Sequence, residues 1–191
     1  RRLPMSMPPF VTRVCKSVMP GSLATLAAPA ADKLKAAHQT VSVFESTSGG
    51  LVQAALMSIE GSSAYMCPGT VTYGSKKAAV LFGADLSEAH GTTAAEYIAS
   101  KQRYTVAVAR RMRGEMGATW AVCEAGACGP TFLPDDMERG FTVCFVSGPI
   151  EKGIVIASEH ARREENMWSY AAAALSFLAD CIAEAAEADE A

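Results

Sequence analysis

Two glycine-containing segments have compositions that suit ligand binding. Residues 45–50 read Glu-Ser-Thr-Ser-Gly-Gly, in which glycines allow close backbone approach and hydroxyls add donors for a phosphate or carboxylate. The same residues also suit a simple Ser or Thr helix cap followed by a glycine turn. Residues 124–131 form a second glycine-rich segment, which either lines a pocket or only turns the chain. Taken singly, neither segment decides between binding and structure.

A third segment holds the side chains that best suit catalysis. Ser62 and Ser63 are followed along the chain by Tyr73 and by the basic pair Lys76 and Lys77. A serine hydroxyl close to a tyrosine and a lysine is typical of a hydrolase, in which the hydroxyl attacks a carbonyl and a neighbouring base takes its proton. The ordinary alternative is a capping serine beside surface lysines. Both interpretations stay open at this point.

The cysteines give no sign of a metal centre. All six are dispersed, without a C-x-x-C pair and without a histidine spaced to complete a zinc set, so we expect reduced thiols and no bound metal. Cys123, Cys144 and Cys181 fall inside apolar runs, where a free cysteine behaves as a small hydrophobic residue. Cys67 and Cys128 are the two whose surroundings leave room for chemistry.

Composition limits the class of protein. A length of 191 residues predicts one domain, and 50% hydrophobic with 19% charged residues predicts a folded core rather than disorder. The 17 basic and 20 acidic side chains give a net charge of −3, which argues against a nucleic-acid partner bound by bulk positive charge. No apolar run approaches the roughly 18 residues of a membrane-spanning helix, so no membrane partner is expected.

The two ends differ in composition from the middle. Residues 1–21 hold four basic and no acidic side chains, which predicts an N-terminal extension, either disordered or an organellar targeting segment. Residues 22–186 carry the periodic pattern of a domain. Residues 187–191 form an acidic tail. An intracellular location follows, cytoplasmic or organellar, with the mitochondrion included.

Hydrophobic periodicity predicts alternating helices and strands. Helices are predicted at 22–37, 51–59, 75–82, 93–116 and 162–186. Strands are predicted at 41–44, 70–73, 119–123, 141–147 and 153–158, the last two forming a hairpin. This order predicts a layered α/β domain whose sheet is mixed, because the late hairpin adds an antiparallel pair. In such sheets ligands bind at the carboxyl ends of the strands.

Five short motifs in a fixed order carry a family resemblance. An E-S-x-T-G-G signature occupies residues 45–50 with Ser48 in place of Thr, and G-S-S and V-T-Y elements follow at 61–63 and 71–73. A His-Gly turn lies at 90–91, and a T-G-x-A-G-P loop occurs in altered form at 125–130. Together they resemble the C-terminal domain of the CinA family, which includes nicotinamide-nucleotide amidases. The resemblance covers about residues 22–182.

The resemblance implies a fold and a reaction. The fold is a three-layer α/β domain with a central mixed sheet flanked by helices. The reaction is deamidation of nicotinamide mononucleotide to nicotinic acid mononucleotide with release of ammonia, which needs neither cofactor nor metal. By the resemblance Ser63 is the nucleophile, Tyr73 activates it or relays protons, and Ser46 is a supporting hydroxyl. Backbone N–H groups would hold the oxyanion, and water would hydrolyse the acyl-enzyme.

The resemblance also implies a binding set and an assembly. The small-molecule nucleotide would be held by Thr47, Ser48, Gly49, Gly50, Ser62, Gly126, Gly129, Arg163 and Asn166. A homo-oligomer is expected, in which the helix at 93–116 and the terminal helix pair across a two-fold axis. Packing of the same helix faces within one chain is the alternative.

Three departures from the family pattern bear on activity. The lysine five residues after the motif tyrosine is Ala78 here, so Lys77 is the candidate replacement base. Ala125 replaces a threonine, and Met167 replaces one of two arginines, the other being Arg163. Asn166 and Arg162 are candidate replacements for the missing arginine. Two hypotheses therefore stand. The chain is an amidohydrolase that recruits Lys77, or it is a diverged nucleotide-binding member of the family without turnover.

Overall fold

The computed structural model describes residues 7–14, 21–73, 91–132 and 134–189. In these residues the strands are β1 (Phe10–Val14), β2 (Val41–Glu45), β3 (Thr70–Val71), β4 (Trp120–Ala127), β5 (Phe141–Ser147) and β6 (Glu151–Ala157). The helices are α1 (Leu23–Ala36), α2 (Leu51–Met57), α3 (Ala94–Met116) and α4 (Arg163–Asp189), with a 3₁₀ turn at Ser62–Ala64. The predicted helix at 75–82, with Lys76, Lys77 and Ala78, and also His90, lie outside the described residues.

The strands form one mixed sheet in the order β1-β6-β5-β4-β2-β3. Strands β4, β5 and β6 pair antiparallel, whereas β2 runs parallel to both β3 and β4. Every residue of β2 and β5 is buried, which requires cover on both faces of the sheet. The predicted α/β architecture with a mixed sheet is confirmed.

The core divides into layers on the two faces of the sheet. One face packs against α1, α2 and α4 through residues such as Val43, Trp120 and Val122. The other face packs against α3 through residues such as Phe44 and Cys123. Alternate residues of each strand point to opposite faces, so the helices on either side complete the three layers that the resemblance implies. None of the helices in the described part of the chain is long and apolar enough to cross a membrane.

Helix α3 has strong signals at both ends, and it carries much of the site. The Thr93 side chain accepts from the Glu96 backbone, and the Glu96 carboxylate accepts from the Thr93 backbone, which forms a capping box. Gly117 ends the helix with φ of +60°, a left-handed conformation that glycine adopts without steric cost. Because only residues 117–119 join α3 to β4, the helix runs antiparallel to β4 and β2.

Three elements differ most from the sequence prediction. The strand β1 is not predicted, and it pairs parallel with β6 inside the segment 1–21. Strand β4 continues to Ala127 instead of ending at Cys123, because its last four residues pair with β5. Helix α4 continues to Asp189, beyond the predicted end at residue 186. In the two strands, pairing with a distant part of the chain extends what local composition suggests. The last residues of α4, 186–189, are exposed.

Candidate active site

A cavity of about 400 Å³ opens at the carboxyl ends of the parallel strands β2, β3 and β4. Its walls come from the segments after β2 and β3, the first turns of α3, the end of β4 with the loop that follows, and the start of α4. This is the place where an open α/β sheet binds ligands. The volume lies in the range of small-molecule sites.

Glu45 organises the segment after β2. Its carboxylate is fully buried and accepts hydrogen bonds from the backbone N–H groups of Gly50, Val52 and Gln53, at 2.9, 3.0 and 2.7 Å, and from Ser48 Oγ at 2.7 Å. These N–H groups are the free donors at the start of α2. The Glu45 carboxylate therefore occupies the N–H groups at the start of α2, and these groups are not free to bind a phosphate.

Burial sets the protonation behaviour of Glu45. Loss of solvent raises the pKa of its carboxyl above the ordinary value, and the neighbouring Glu124 also raises it, while the hydrogen bond from Ser48 acts in the opposite direction. Desolvation is the largest cause. The two buried carboxylates thus lie close enough to influence each other.

Glu124 on β4 fixes the residues next to Glu45. One carboxylate oxygen accepts from the backbone of Ser46 and Ser48, at 2.7 and 2.9 Å, and from Ser48 Oγ at 2.6 Å. The other oxygen accepts from the hydroxyls of Thr47 and Thr142. The hydroxyls of Thr47 and Ser48 are therefore used inside the protein, although Thr47 still forms part of the cavity wall. Ser48 is fully buried behind it.

Ser46 is the hydroxyl of this segment that remains at the cavity. It lines the wall, and no hydrogen-bond partner of its Oγ is found in the described part of the chain. Phe44 and Cys123 form the last pair of the parallel ladder, and Ser46 and Ala125, each two residues further along, both line the cavity. The substitution noted in the sequence thus places a methyl group in the wall that Ser46 also lines.

Ser62 and Ser63 lie away from this cavity. Both belong to the 3₁₀ turn, where Ser63 is exposed, and the chain then bridges from Met66 to Val41 at the amino end of β2. The length of β2 separates the two ends by about 13 Å. The structure therefore does not bring Ser63 together with Ser46, which lies beyond the carboxyl end of β2.

Tyr73 and Arg163 form part of the cavity rim. Tyr73 is 81% exposed, and the Arg163 guanidinium lies 5.9 Å from the centre of its ring. Arg163 Nη1 donates to the Gly129 carbonyl oxygen at 3.4 Å. A cation held over an aromatic ring at the mouth of a pocket suits an anionic group of a ligand.

The other predicted binding residues support the walls in different ways. Gly126 and Gly129 line the cavity. Asn166 is fully buried and donates to the carbonyl oxygens of Cys128 and His160, at 2.8 and 3.1 Å, so it holds the loop from behind. Gly49 and Gly50 begin α2 outside the cavity wall.

Met167 lies next to the glycine turn. A Cβ atom added at Gly49 would stand 2.7 Å from Met167 Cε, so the methionine packs closely against this turn. An arginine at this position, as the resemblance implies, would place a cation there. Because methionine is uncharged, Arg163 is the one cation at the start of α4 that lines the cavity among the described residues.

Lys101 is a site residue that the sequence analysis missed. It is only 7% exposed and lines the cavity from α3, with Nζ 5.5 Å from the ring centre of Tyr97 and 5.4 Å from that of Tyr104. Burial lowers the pKa of its ammonium, which the Cys123 thiol partly opposes. The signal was present in the sequence, since Tyr97, Lys101, Tyr104 and Val108 share one helical face.

Cys128 lines the same cavity, but its thiol is a weak nucleophile. Its Sγ lies 3.2 Å from the Thr47 carbonyl oxygen, and burial raises the pKa of the thiol to about 12. At neutral pH this cysteine is therefore protonated and a weak nucleophile. Among the described residues, no group of three or more His, Cys, Asp or Glu side chains could hold a metal ion.

Comparison with known proteins identifies relatives of this fold and sequence. The family model of the CinA C-terminal domain matches residues 23–182. A CinA-like protein of Parasynechococcus marenigrum (strain WH8102) is 33% identical over 118 residues, which are 61% of this chain and 26% of that protein. A CinA-like protein of Geotalea daltonii is 30% identical over 141 residues, which are 73% of this chain and 32% of that protein. The chain thus spans about a quarter to a third of these relatives.

Solved structures show the same fold. A CinA superfamily protein from Klebsiella pneumoniae superposes with a TM-score of 0.69 at 18% identity, covering 85% of this chain and 99% of the other. A competence/damage inducible protein from Agrobacterium tumefaciens gives a TM-score of 0.67 at 24% identity, covering 85% of this chain and 97% of the other. At these identities the likeness concerns the fold.

Proposed function

This chain belongs to the CinA C-terminal domain family, and we propose that its cavity binds a nicotinamide nucleotide and hydrolyses the carboxamide with release of ammonia. The observation that carries this proposal is the Ser46 hydroxyl at the cavity wall. Glu124 and Glu45 accept the hydrogen bonds of the neighbouring donors, whereas Ser46 lines the cavity with no hydrogen-bond partner of its Oγ among the described residues. A fixed hydroxyl in a pocket suits covalent acyl transfer.

In this proposal Ser46 is the nucleophile instead of Ser63. Ser46 Oγ would attack the carboxamide carbon, form an ester to the acyl group and expel the nitrogen as ammonia, after which water would hydrolyse the ester. Ser63 is exposed at the far end of β2, where a substrate held by the cavity would not reach it. Lys77, the predicted base, lies outside the described residues.

The cavity rim supports a nucleotide as the substrate. Arg163 supplies a cation for the phosphate, and it is already oriented by the Tyr73 ring and the Gly129 carbonyl. The exposed Tyr73 ring offers a surface for a flat heterocycle such as the pyridine. The aromatic side chains of Tyr97 and Tyr104 line the wall further in.

A second candidate function is nucleotide binding without turnover. The observation that favours it is Ala125, which lines the same cavity as Ser46 at a position where the family pattern has a hydroxyl. Arg163 and Tyr73 would still hold a nucleotide in this case. The two candidates differ only in whether the bound carboxamide reacts.

Turnover by serine variants separates these candidates. Purified protein is incubated with nicotinamide mononucleotide, and ammonia and nicotinic acid mononucleotide are measured for the wild type, Ser46→Ala and the matched control Ser63→Ala. We expect Ser46→Ala to lower kcat by about 1,000-fold or more while Ser63→Ala stays active. Calorimetric titration should show that both variants still bind the nucleotide.

Each other outcome has a definite meaning. Binding without turnover in the wild type would favour the second candidate. Loss of turnover in Ser63→Ala alone would return the nucleophile to Ser63. A wild type that neither binds nor hydrolyses the nucleotide would refute the proposed function.

A further inference from the structure

Lys101 occupies a setting that few lysines share. Its side chain lies on the buried face of α3, and its Nζ stands over the rings of Tyr97 and Tyr104 at the cavity wall. In the part of the chain that the structure describes, no carboxylate forms an ion pair with this ammonium. Ring faces attract a cation only weakly compared with the hydration that burial removes. The neutral amine is correspondingly favoured.

Lys101 and Ser46 lie at similar positions along the direction of β2. The Tyr104 ring contacts Phe44 of β2 at a centroid distance of 6.1 Å, which fixes one point of contact between α3 and this strand. Because α3 runs antiparallel to β2, Lys101 lies about 4.5 Å from that point toward the carboxyl end of the strand. At the rise of an extended strand, Ser46, the first residue after β2, lies about 6.6 Å from it in the same direction. Ser46 and Lys101 both line the cavity.

We propose that Lys101 is the base that activates Ser46, so that α3 supplies the amine for acyl transfer. The proposal rests on the proposed amidase function. It assigns to this chain a catalytic lysine on α3, whereas the sequence pattern pointed to the segment that follows Tyr73. The buried position on a rigid helix, the absence of a carboxylate partner among the described residues and the shared cavity wall are the observations that carry it.

The proton transfers balance around the reaction. As Ser46 Oγ forms its bond to the carboxamide carbon, the hydroxyl proton passes to the neutral Lys101 Nζ. The resulting ammonium then returns that proton to the departing nitrogen, the C–N bond breaks, and ammonia leaves. In the second half, Lys101 takes a proton from water while the hydroxide attacks the ester, and it gives the proton back to Ser46 Oγ.

The surroundings of Lys101 define the pH dependence. The titratable or charged groups around this part of the cavity are Tyr97 and Tyr104 on α3, Cys123 on β4, Cys128 after β4, Tyr73 after β3 and Arg163 on α4. Burial lowers the pKa of Lys101 from the ordinary lysine value of 10.5, so the neutral base forms at lower pH than in an exposed lysine. We therefore expect kcat/KM to rise with pH through this lowered pKa.

Three lysine variants test the proposal in the full chain. Lys101→Met keeps the length and apolar character of the side chain but removes the amine. Lys101→Arg keeps a positive charge that cannot accept a proton at neutral pH. Lys152→Met is the matched control, because Lys152 is an exposed lysine that pairs with Glu184 away from the cavity. Circular dichroism and thermal melting check that each variant is folded, and calorimetry measures nucleotide binding.

We expect both Lys101 variants to lose about 100-fold or more in kcat on nicotinamide mononucleotide, with binding retained and Lys152→Met unaffected. Wild-type activity in Lys101→Met, with the serine results above intact, would overturn the role of Lys101 and leave the amidase function standing. Activity kept in Lys101→Arg, with only a raised KM in Lys101→Met, would make Lys101 an anion-binding residue and also overturn it. A wild type without turnover would refute the amidase function and this role together.

Discussion

Two buried carboxylates explain how the segment after β2 holds Ser46 at the cavity wall. Glu45 takes the donors at the start of α2, and Glu124 takes the backbone N–H groups of Ser46 and Ser48. Each buried donor that lost its acceptor would cost about 1–3 kcal/mol, so the carboxylates tie the conformation of the segment to the sheet. Rigidity at Ser46 follows from this, and rigidity is what a nucleophile on a short loop needs.

Removing the charge of Glu124 tests this network. We expect Glu124→Gln to lower the free energy of unfolding by about 2–4 kcal/mol, because the amide nitrogen must face groups that are themselves donors. Urea denaturation measures the change. Glu184→Gln serves as control, since Glu184 is half-exposed, and should stay within about 0.5 kcal/mol of the wild type. Equal stability of the two variants would show that Glu124 does not hold the segment.

The sequence predicts residues of the candidate site only where they belong to a recognisable motif. The composition of residues 45–50 suits either donors for a phosphate or carboxylate or a helix cap with a glycine turn. In the structure, the carboxylates of Glu45 and Glu124 accept hydrogen bonds from these donors. Lys101 was missed because the helical face that it shares with Tyr97 and Tyr104 is also typical of an ordinary packed helix. Lys101 becomes a cavity residue only because the ends of β2 and β4 pack near it, and these strands are separate from α3 along the chain.

At the scale of elements, the helices of the described part of the chain and most strands are predictable, whereas β1 and the end of β4 are not. Helix α3 was predicted at 93–116 and observed as Ala94–Met116, since its capping residues and apolar face are local features. The end of β4 was missed because Gly-rich residues 124–127 read as a loop. They are strand because they pair with β5, which follows later in the chain.

At Gly126, strands β4 and β5 approach each other closely. A Cβ atom at this position would meet the Phe141 carbonyl oxygen and lie 2.6 Å from Thr142 Cα, so Gly126→Ala must push β5 away from β4. We expect a loss of about 2 kcal/mol or more in the free energy of unfolding, seen as a lower melting temperature.

The matched control for Gly126 lies on α3. Gly114 is a helical glycine with open space around its Cβ position, so Gly114→Ala should stabilise the protein by up to about 1 kcal/mol. A melting temperature that moves in the same direction in both variants would contradict the explanation by close strand approach.

At the scale of the whole molecule, the sheet order separates the site from the edge strand β1. The cavity is built around β2, β3 and β4, whereas β1 pairs with β6 at the opposite edge of the sheet. Strand β1 also lies outside residues 23–182, the part that matches the family model. Composition did not predict it, because a five-residue strand beside basic residues resembles an extension until its partner strand is known.

This separation predicts that stability and activity respond differently at the β1 edge. The Phe10 ring packs over Gly153 and lies 5.9 Å from the Phe145 ring, so Phe10→Ala should lower the free energy of unfolding by about 2 kcal/mol. Val11→Ala is the control, since Val11 is exposed, and should change stability by less than about 0.5 kcal/mol. Ammonia release per folded molecule, measured well below the melting temperature, should be unchanged in both variants. Loss of turnover in folded Phe10→Ala would show that the edge strand is coupled to the cavity through the sheet.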